Sequence, residues 1–327
     1  MAKILVAQRF GLGEEALAKL SEAGQVIILG DESDATLRAE IRDADALLVG
    51  INPRVTRSLI ESASRLRHIA RQGVGVDLVD LQAATEHGIM VTNVPNVTSD
   101  SVAEFTMTLL LSLAKNIIRC NWAVKEGQWV ERAELIQDNI ELIGKTHGIV
   151  GLGRIGSRVA IRCKAFGMRV LYYKRNRDLN LERSAGVEYA PLVDLLKESD
   201  SISLHLPLTS ATINLIDKPQ FESMKRTVLL INQARGKVVN EEALVQALRE
   251  GRIGGYGTDV YESEPPDPTS ELLRFKKVVA TPHLGGATRE ARLRANMVVA
   301  EEVIRIIRGE MPKNLINREV LRRSAEC

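Results

Sequence analysis

A chain of 327 residues has room for about two domains at roughly 150 residues each. Hydrophobic residues make up 45% and charged residues 26%, the balance of an ordered globular protein and not of a disordered one, while aromatics at 4% leave the core to aliphatic side chains. The 44 basic and 42 acidic residues give a net charge of +2, too little to prescribe nucleic acid or an anionic membrane as partner, so any anion recognition is local.

The N-terminus, MAKILVAQRFG, carries a charge and then a short β-like run. It lacks the long apolar stretch and small-residue cleavage site of a signal peptide, and a cytoplasmic protein is expected. Short β-like runs at 3–8, 25–29, 46–50, 66–72 and 89–94 then alternate with helical patterns near 13–23, 34–42, 56–63 and 78–86. Such alternation spells βαβ units and a parallel sheet. Pro95 and Asn96 interrupt it, and one long apolar helix is predicted near 100–119. Its most apolar part, 102–118, contains Glu104 and Lys115, which makes it too polar and slightly short for a membrane span; a buried helix is expected. The alternation restarts with runs at 146–153, 168–173, 199–207, 227–234, 254–260 and 277–283, a second parallel sheet. The segment ESEPPDP (262–268) reads as a loop, and the last long helical pattern, from Ala287 onward, belongs to neither series obviously. The three cysteines, Cys120, Cys163 and Cys327, show no CxxC or Cys/His spacing, so reduced thiols and no metal site are expected.

The strongest local motif is Gly151-Leu152-Gly153-Arg154-Ile155-Gly156, which follows the apolar run GIV and precedes the helical pattern SRVAIRCKAF. A strand, a glycine turn and a helix N-terminus in that order form a pyrophosphate site, because the free N–H groups and dipole of the helix favour an anion. Gly151 allows the turn, Gly153 lets a phosphate approach the backbone, and Gly156 lets helix and strand pack closely. An NAD site places an acid about 20 residues further on to accept the ribose hydroxyls. Here the next strand ends Tyr173-Lys174-Arg175-Asn176-Arg177, with no acid before Asp178. Lys174 and Arg175 can neutralise a 2′-phosphate and Asn176 can donate to it, so NADP(H) is the expected cofactor, with NAD(H) use left open.

Hydride transfer to a ketone needs a proton donor for the developing alkoxide and a cation for an adjacent carboxylate. Of the five histidines, His68, His87, His147 and His205 carry no signal beyond a structural one, whereas His283 ends the run KVVATPH and is followed by Leu284-Gly285-Gly286. That is the carboxyl end of a parallel strand, where ligands bind. Arg235, after LLINQA and before Gly236, holds the same kind of position. Asp259 and Glu264 lie in GTDVYESEP; a carboxylate beside an imidazole would raise its pKa, although spacing alone does not place Glu264 against His283.

With these residues the chain resembles the D-isomer-specific 2-hydroxyacid dehydrogenases, which include glyoxylate/hydroxypyruvate reductases and D-3-phosphoglycerate dehydrogenases. The matching segments are RQGVGVDLVD (71–80), SVAEFTMTLLLSLAKNI (101–117), GIVGLGRIG (148–156), SLHLPLTSAT (203–212), INQARGKVVNEEAL (231–244), GYGTDVYESEP (255–265) and TPHLGG (281–286). The resemblance implies an α/β chain of two parallel-sheet domains: a Rossmann cofactor domain, 100–288, inserted into a flavodoxin-like substrate domain, 1–99 plus 289–327, with the active site in the cleft between them. It implies that Arg235 binds the substrate carboxylate and carbonyl oxygen, that His283 is the acid/base and that Glu264 orients it. Backbone at Val74 and Gly75 would bind substrate. Gly151, Gly153, Arg154, Ile155, Gly156, Lys174, Arg175, Asn176, Leu206, Pro207, Thr212, Gln233, Ala234, Gly285 and Gly286 would line the cofactor together with Arg235 and His283, and Asp259 would accept from the nicotinamide carboxamide.

The implied reaction is NADPH-dependent reduction of a small 2-oxoacid, glyoxylate or hydroxypyruvate, to the D-2-hydroxyacid, by a homodimer formed through the 100–119 helix region, without nucleic acid or membrane. D-3-phosphoglycerate dehydrogenase is the alternative within the family, with Arg54 and Trp129 as further substrate candidates. A nucleotide-binding corepressor is the alternative outside enzymology.

Overall fold

The structure, a computed structural model, describes residues 1–7, 12–31, 33–50, 53–129, 135–136 and 138–323. Gln8 at the end of the first expected strand, residues 51–52 of the INPRVT loop and Cys327 lie outside them. Contacts divide the chain into Met1–Thr98 with Ala287–Cys327, and Ser99–Gly286.

In the first unit the alternating pattern becomes β1 (Ala2–Ala7), β2 (Gly24–Ile28), β3 (Ala46–Val49), β4 (His68–Arg71) and β5 (Met90–Thr92). They form one parallel sheet in the order β2-β1-β3-β4-β5, the order of flavodoxin-like folds. β3 and β4 are buried along their whole length, which is why β3 (ALLV) reads as an apolar run and not as an alternating strand. Three of the intervening helices start where the sequence supplies a side-chain cap: Ser33 accepts from Thr36 N, Thr56 from Leu59 N and Asp80 from Ala83 N, each satisfying an N–H that the helix cannot. Leu37, Ile41, Leu59 and Ile60 cover one face of the sheet. On the other, the late helix Arg289–Ile307 packs Ala295, Val299, Ala300 and Val303 with Ile4, Val6 and Leu48. The tail after it is tied in as well, with Ile316 N donating to Val91 O at 2.8 Å.

The second unit holds β6 (Thr146–Val150), β7 (Arg169–Tyr173), β8 (Glu188–Tyr189), β9 (Ser201–Leu204), β10 (Leu229–Asn232), β11 (Gly255–Thr258) and β12 (Val278–Ala280). All pair in parallel in the order β12-β11-β10-β9-β6-β7-β8, a Rossmann sheet with one added strand. β8 has two residues, too few to show a period, and the sequence reading has no strand there.

The helix expected over 100–119 is two: Ser99–Ala114 and Ile117–Lys125, bent by 65°. Asn116 between them takes φ +50, the left-handed conformation that asparagine tolerates better than most residues. The first helix buries its apolar face inside the unit, including Met107, Leu109, Leu110 and Leu113; the second buries none of its residues. Among the described residues no single helix is long and apolar enough to cross a membrane.

Candidate active site

The glycine turn after β6 is built as close packing demands. Gly151 has φ +104 and donates its N–H to Tyr173 O at 2.9 Å, and a Cβ there would lie 2.5 Å from His205 O. A Cβ on Gly156 would collide with Gly151 O and approach the Ile149 side chain. Gly153, by contrast, faces open space with nothing within 4 Å. It caps the helix Arg154–Ala165, whose unpaired N–H groups point outward beside it. The first and third glycines are steric necessities and the second leaves a gap, so the residues present fit a pyrophosphate group.

At the end of β7 the basic cluster divides. Lys174 Nζ is 3.8 Å from Asp178 Oδ2, and Asp178 caps the next helix by accepting from Leu181 N at 3.0 Å. Arg177, the next basic residue, is spent on structure: it pairs with Glu182 at 2.9 Å and its guanidinium lies 5.3 Å from the Tyr189 ring centroid. Arg175 and Asn176 are exposed, and neither side chain has a partner among the described residues. Across the turn, His205 N donates to Val150 O at 2.9 Å and the Leu206 side chain lies against Gly151. Thr212 closes its own loop, its hydroxyl donating to Pro207 O at 2.7 Å while accepting from Thr209 N at 2.8 Å.

The carboxyl ends of β10, β11 and β12 carry the ionisable groups. Fully buried Asn232 accepts from Ala234 N and donates to Arg235 O, both at 3.0 Å, fixing the loop that bears Gln233 and Arg235. Gly236 then lets that loop touch the next one, because a Cβ there would overlap the peptide between Tyr261 and Glu262. Asp259, 1% exposed, accepts from Thr281 Oγ1 at 2.7 Å, Leu284 N at 2.8 Å and Gly285 N at 2.6 Å. Its carboxylate therefore folds the turn that carries His283. Tyr261 adds a second tie, its hydroxyl donating to Thr281 O at 2.8 Å. Gly285 leaves room for the buried Gln233 side chain, and Gly286 ends the unit.

In that frame His283, at φ +56, donates from Nδ1 to Glu264 Oε2 at 2.7 Å. Glu264 Oε1 accepts from Tyr261 N at 3.1 Å. Partial withdrawal from solvent opposes ionisation of Glu264, but the His283 hydrogen bond and charge, the Tyr261 amide and the Arg235 guanidinium outweigh it and hold its pKa below the usual carboxylate value. An ionised Glu264 only accepts, so the proton of this pair sits on Nδ1 and the imidazole edge bearing Nε2 is left for other work.

Val74 and Gly75 lie in the other unit, after β4. Asn93 Nδ2 donates to Val74 O at 2.7 Å, and the N–H groups of Val74 and Gly75 donate to nothing among the described residues. Arg54 and Trp129 are exposed. Two other histidines make local bonds, His68 with Thr92 Oγ1 at 2.8 Å and His87 with Ala83 O at 2.9 Å.

The profile described as the D-isomer specific 2-hydroxyacid dehydrogenase NAD binding domain matches residues 107–285. A glyoxylate reductase of Aeropyrum pernix is 45% identical over 88% of this chain and 87% of its own length. The chain belongs to the D-isomer-specific 2-hydroxyacid dehydrogenase family. A D-3-phosphoglycerate dehydrogenase of Methanocaldococcus jannaschii is 42% identical over 97% of this chain and 60% of its own length. The crystal structure of the TT0316 protein from Thermus thermophilus superposes with a TM-score of 0.88 at 36% identity, covering 96% of this chain and 99% of that one. As a member of the family this dehydrogenase has an NAD(P)-binding domain and is an oxidoreductase acting on CH–OH groups. Asn232, Gly236, Tyr261 and Thr281 hold the reactive groups of the dehydrogenase in register. Of these only Gly236 carries a visible signal in the sequence, a glycine immediately after a strand-end arginine.

Proposed function

We propose that this dehydrogenase is an NADPH-preferring reductase of a small 2-oxoacid, glyoxylate or hydroxypyruvate, yielding the D-2-hydroxyacid. The observation that carries the reading is the 2.7 Å bond between His283 Nδ1 and Glu264 on the same loop assembly as Arg235. A bound nicotinamide supplies the hydride. Arg235 holds the substrate carboxylate through a bidentate pair and polarises the carbonyl, and the N–H groups of Val74 and Gly75, unpartnered among the described residues, are suited to an anion as well. His283 delivers a proton from Nε2 to the carbonyl oxygen as negative charge develops on it, while Glu264 stabilises the imidazolium and keeps its ring in place. Met1–Thr98 with Ala287–Cys327 serves as the substrate domain and Ser99–Gly286 as the cofactor domain.

Arg175 and Asn176, exposed and without partners, favour a 2′-phosphate at the end of β7 over a bare ribose. Asp178, already engaged with Leu181 N, is poorly placed to act as a ribose acceptor. The helix Ile117–Lys125 exposes Ile117 at 52%, Trp122 at 60% and Val124 at 59%, and such a patch supports assembly as a homodimer. The buried Ser99–Ala114 helix contributes less to that surface than its composition suggests.

The test is the ratio of kcat/KM values for glyoxylate, hydroxypyruvate and 3-phosphohydroxypyruvate, each with NADPH and NADH. Preference for either of the first two with NADPH is expected. A preference of about tenfold or more for NADH overturns the cofactor assignment, best turnover of 3-phosphohydroxypyruvate makes the enzyme a phosphoglycerate dehydrogenase, and dinucleotide binding without any turnover favours the corepressor reading.

A further inference from the structure

The face of the second sheet that packs against the helices Ser99–Ala114 and Arg154–Ala165 is aliphatic at Ile149, Leu229 and Ile231, yet a polar track crosses it. His147 of β6 pairs in register with Ser201 of β9 and Ile149 with Ser203, so His147, Ser201 and Ser203 share one face, and His205, two residues beyond Ser203, continues it. His147 Nδ1 lies 2.7 Å from Ser201 Oγ and its Nε2 lies 2.9 Å from Ser203 Oγ; His205 Nε2 is also 2.9 Å from Ser203 Oγ. His147, Ser201 and Ser203 are at most 1% exposed. Burial pushes His147 and His205 down to about 3, with His147 adding to the effect on His205, so both rings are neutral at neutral pH.

Proton counting limits how this track can be bonded. A neutral imidazole has one N–H and one lone pair, and a hydroxyl has one hydrogen and two lone pairs. Ser203 sits between two Nε2 atoms and can donate to at most one of them, so at least one ring carries its proton on Nε2 and donates to the serine. If Ser203 donates to His205, then His147 carries its proton on Nε2; if it donates to His147, then His205 does. The two rings, joined through one serine, are therefore never both protonated on Nδ1.

The end of the track is at the dinucleotide turn. The His205 carbonyl is the atom against which Gly151 packs, and its N–H is bonded to the end of β6. His205 Nδ1 is buried without a partner, so among the described residues the contact with Ser203 is the hydrogen bond that restrains the ring. Leucine at 147 would fill the same space without hiding polar atoms in an aliphatic face, which is costly unless each is bonded.

We propose that His147, acting through Ser203, is a positioning residue for dinucleotide binding: it holds the ring of His205 and thereby the backbone that walls the Gly151 turn. This rests on the dinucleotide lying at Gly151–Gly156. Ring-nitrogen NMR of the NADPH-bound enzyme should show His147 and His205 as neutral, with at least one of them protonated on Nε2; Nδ1 tautomers in both overturn the link through Ser203. His147→Leu and Ser203→Ala should each weaken NADPH binding by roughly five- to tenfold, the loss expected of one hydrogen bond. Each should raise the KM for NADPH by more than it lowers kcat, and the double variant should be no worse than either single one. Unchanged binding in the variants, or additive losses, refutes the proposal. Ser203→Ala removes a single oxygen and carries the test if His147→Leu fails to fold. Wild-type enzyme that binds neither NADPH nor NADH would instead remove the dinucleotide reading itself.

Discussion

The two parallel sheets of this dehydrogenase end differently at their carboxyl edges. After β4 the first sheet offers backbone: the N–H groups of Val74 and Gly75 have no partner among the described residues, and Asn93 holds the Val74 carbonyl. After β10, β11 and β12 the second offers side chains: Arg235, Glu264 and His283, held by Asn232, Asp259 and Tyr261. A backbone amide can bind an anion but has no proton to give at neutral pH. An imidazole hydrogen-bonded to an ionised carboxylate can give one and take it back. Both edges can therefore receive an anion, and only the second can also exchange a proton with what is bound there.

The largest effect that would sharpen this contrast belongs to the acid. His283→Ala should lower turnover by roughly 10²–10⁴-fold, and stopped-flow or steady-state oxidation of NADPH measures it; near-normal turnover would break the contrast. Arg235→Ala should reduce kcat/KM for the 2-oxoacid by roughly 10–100-fold, the cost of a lost charge-assisted pair, while leaving dinucleotide affinity closer to wild type. Gly156→Ala tests the turn: with Gly151 O and Ile149 in the way, urea denaturation should show a loss of roughly 1–3 kcal/mol. The smallest effect concerns pH. His147 is held neutral, with a pKa of about 3 against 6.5 in an open chain, so between those values the unfolded state binds more protons than the folded one. Stability should be full above about pH 6.5 and fall as pH drops toward 3. Melting temperatures of His147→Leu across that window should decline less steeply than those of the wild type.

The glycine turn was legible because its logic is local: a strand, a tight turn and a helix start adjoin in the chain, and each glycine answers a near neighbour. The same holds for His283 and Arg235, which stand where apolar runs stop. The break at Asn116 was passed over because both flanking segments are apolar enough for one helix, and only a left-handed asparagine separates them. The charge of Arg177 is visible in sequence, whereas its pairing with Glu182, five residues on, is not.

By itself the amino-acid sequence determined the two series of strands, the place of the phosphate turn and the residue types at the strand ends, since these depend on periodicity and on contacts within a few residues. Tertiary structure alone decided that Glu264 meets His283, that Asp259 folds the turn beneath it, and that Gly236 lets two loops touch. It also decided that His147 and His205, 58 residues apart in the chain, share Ser203. Those contacts arise from parallel strands laid side by side, whose register no local pattern records.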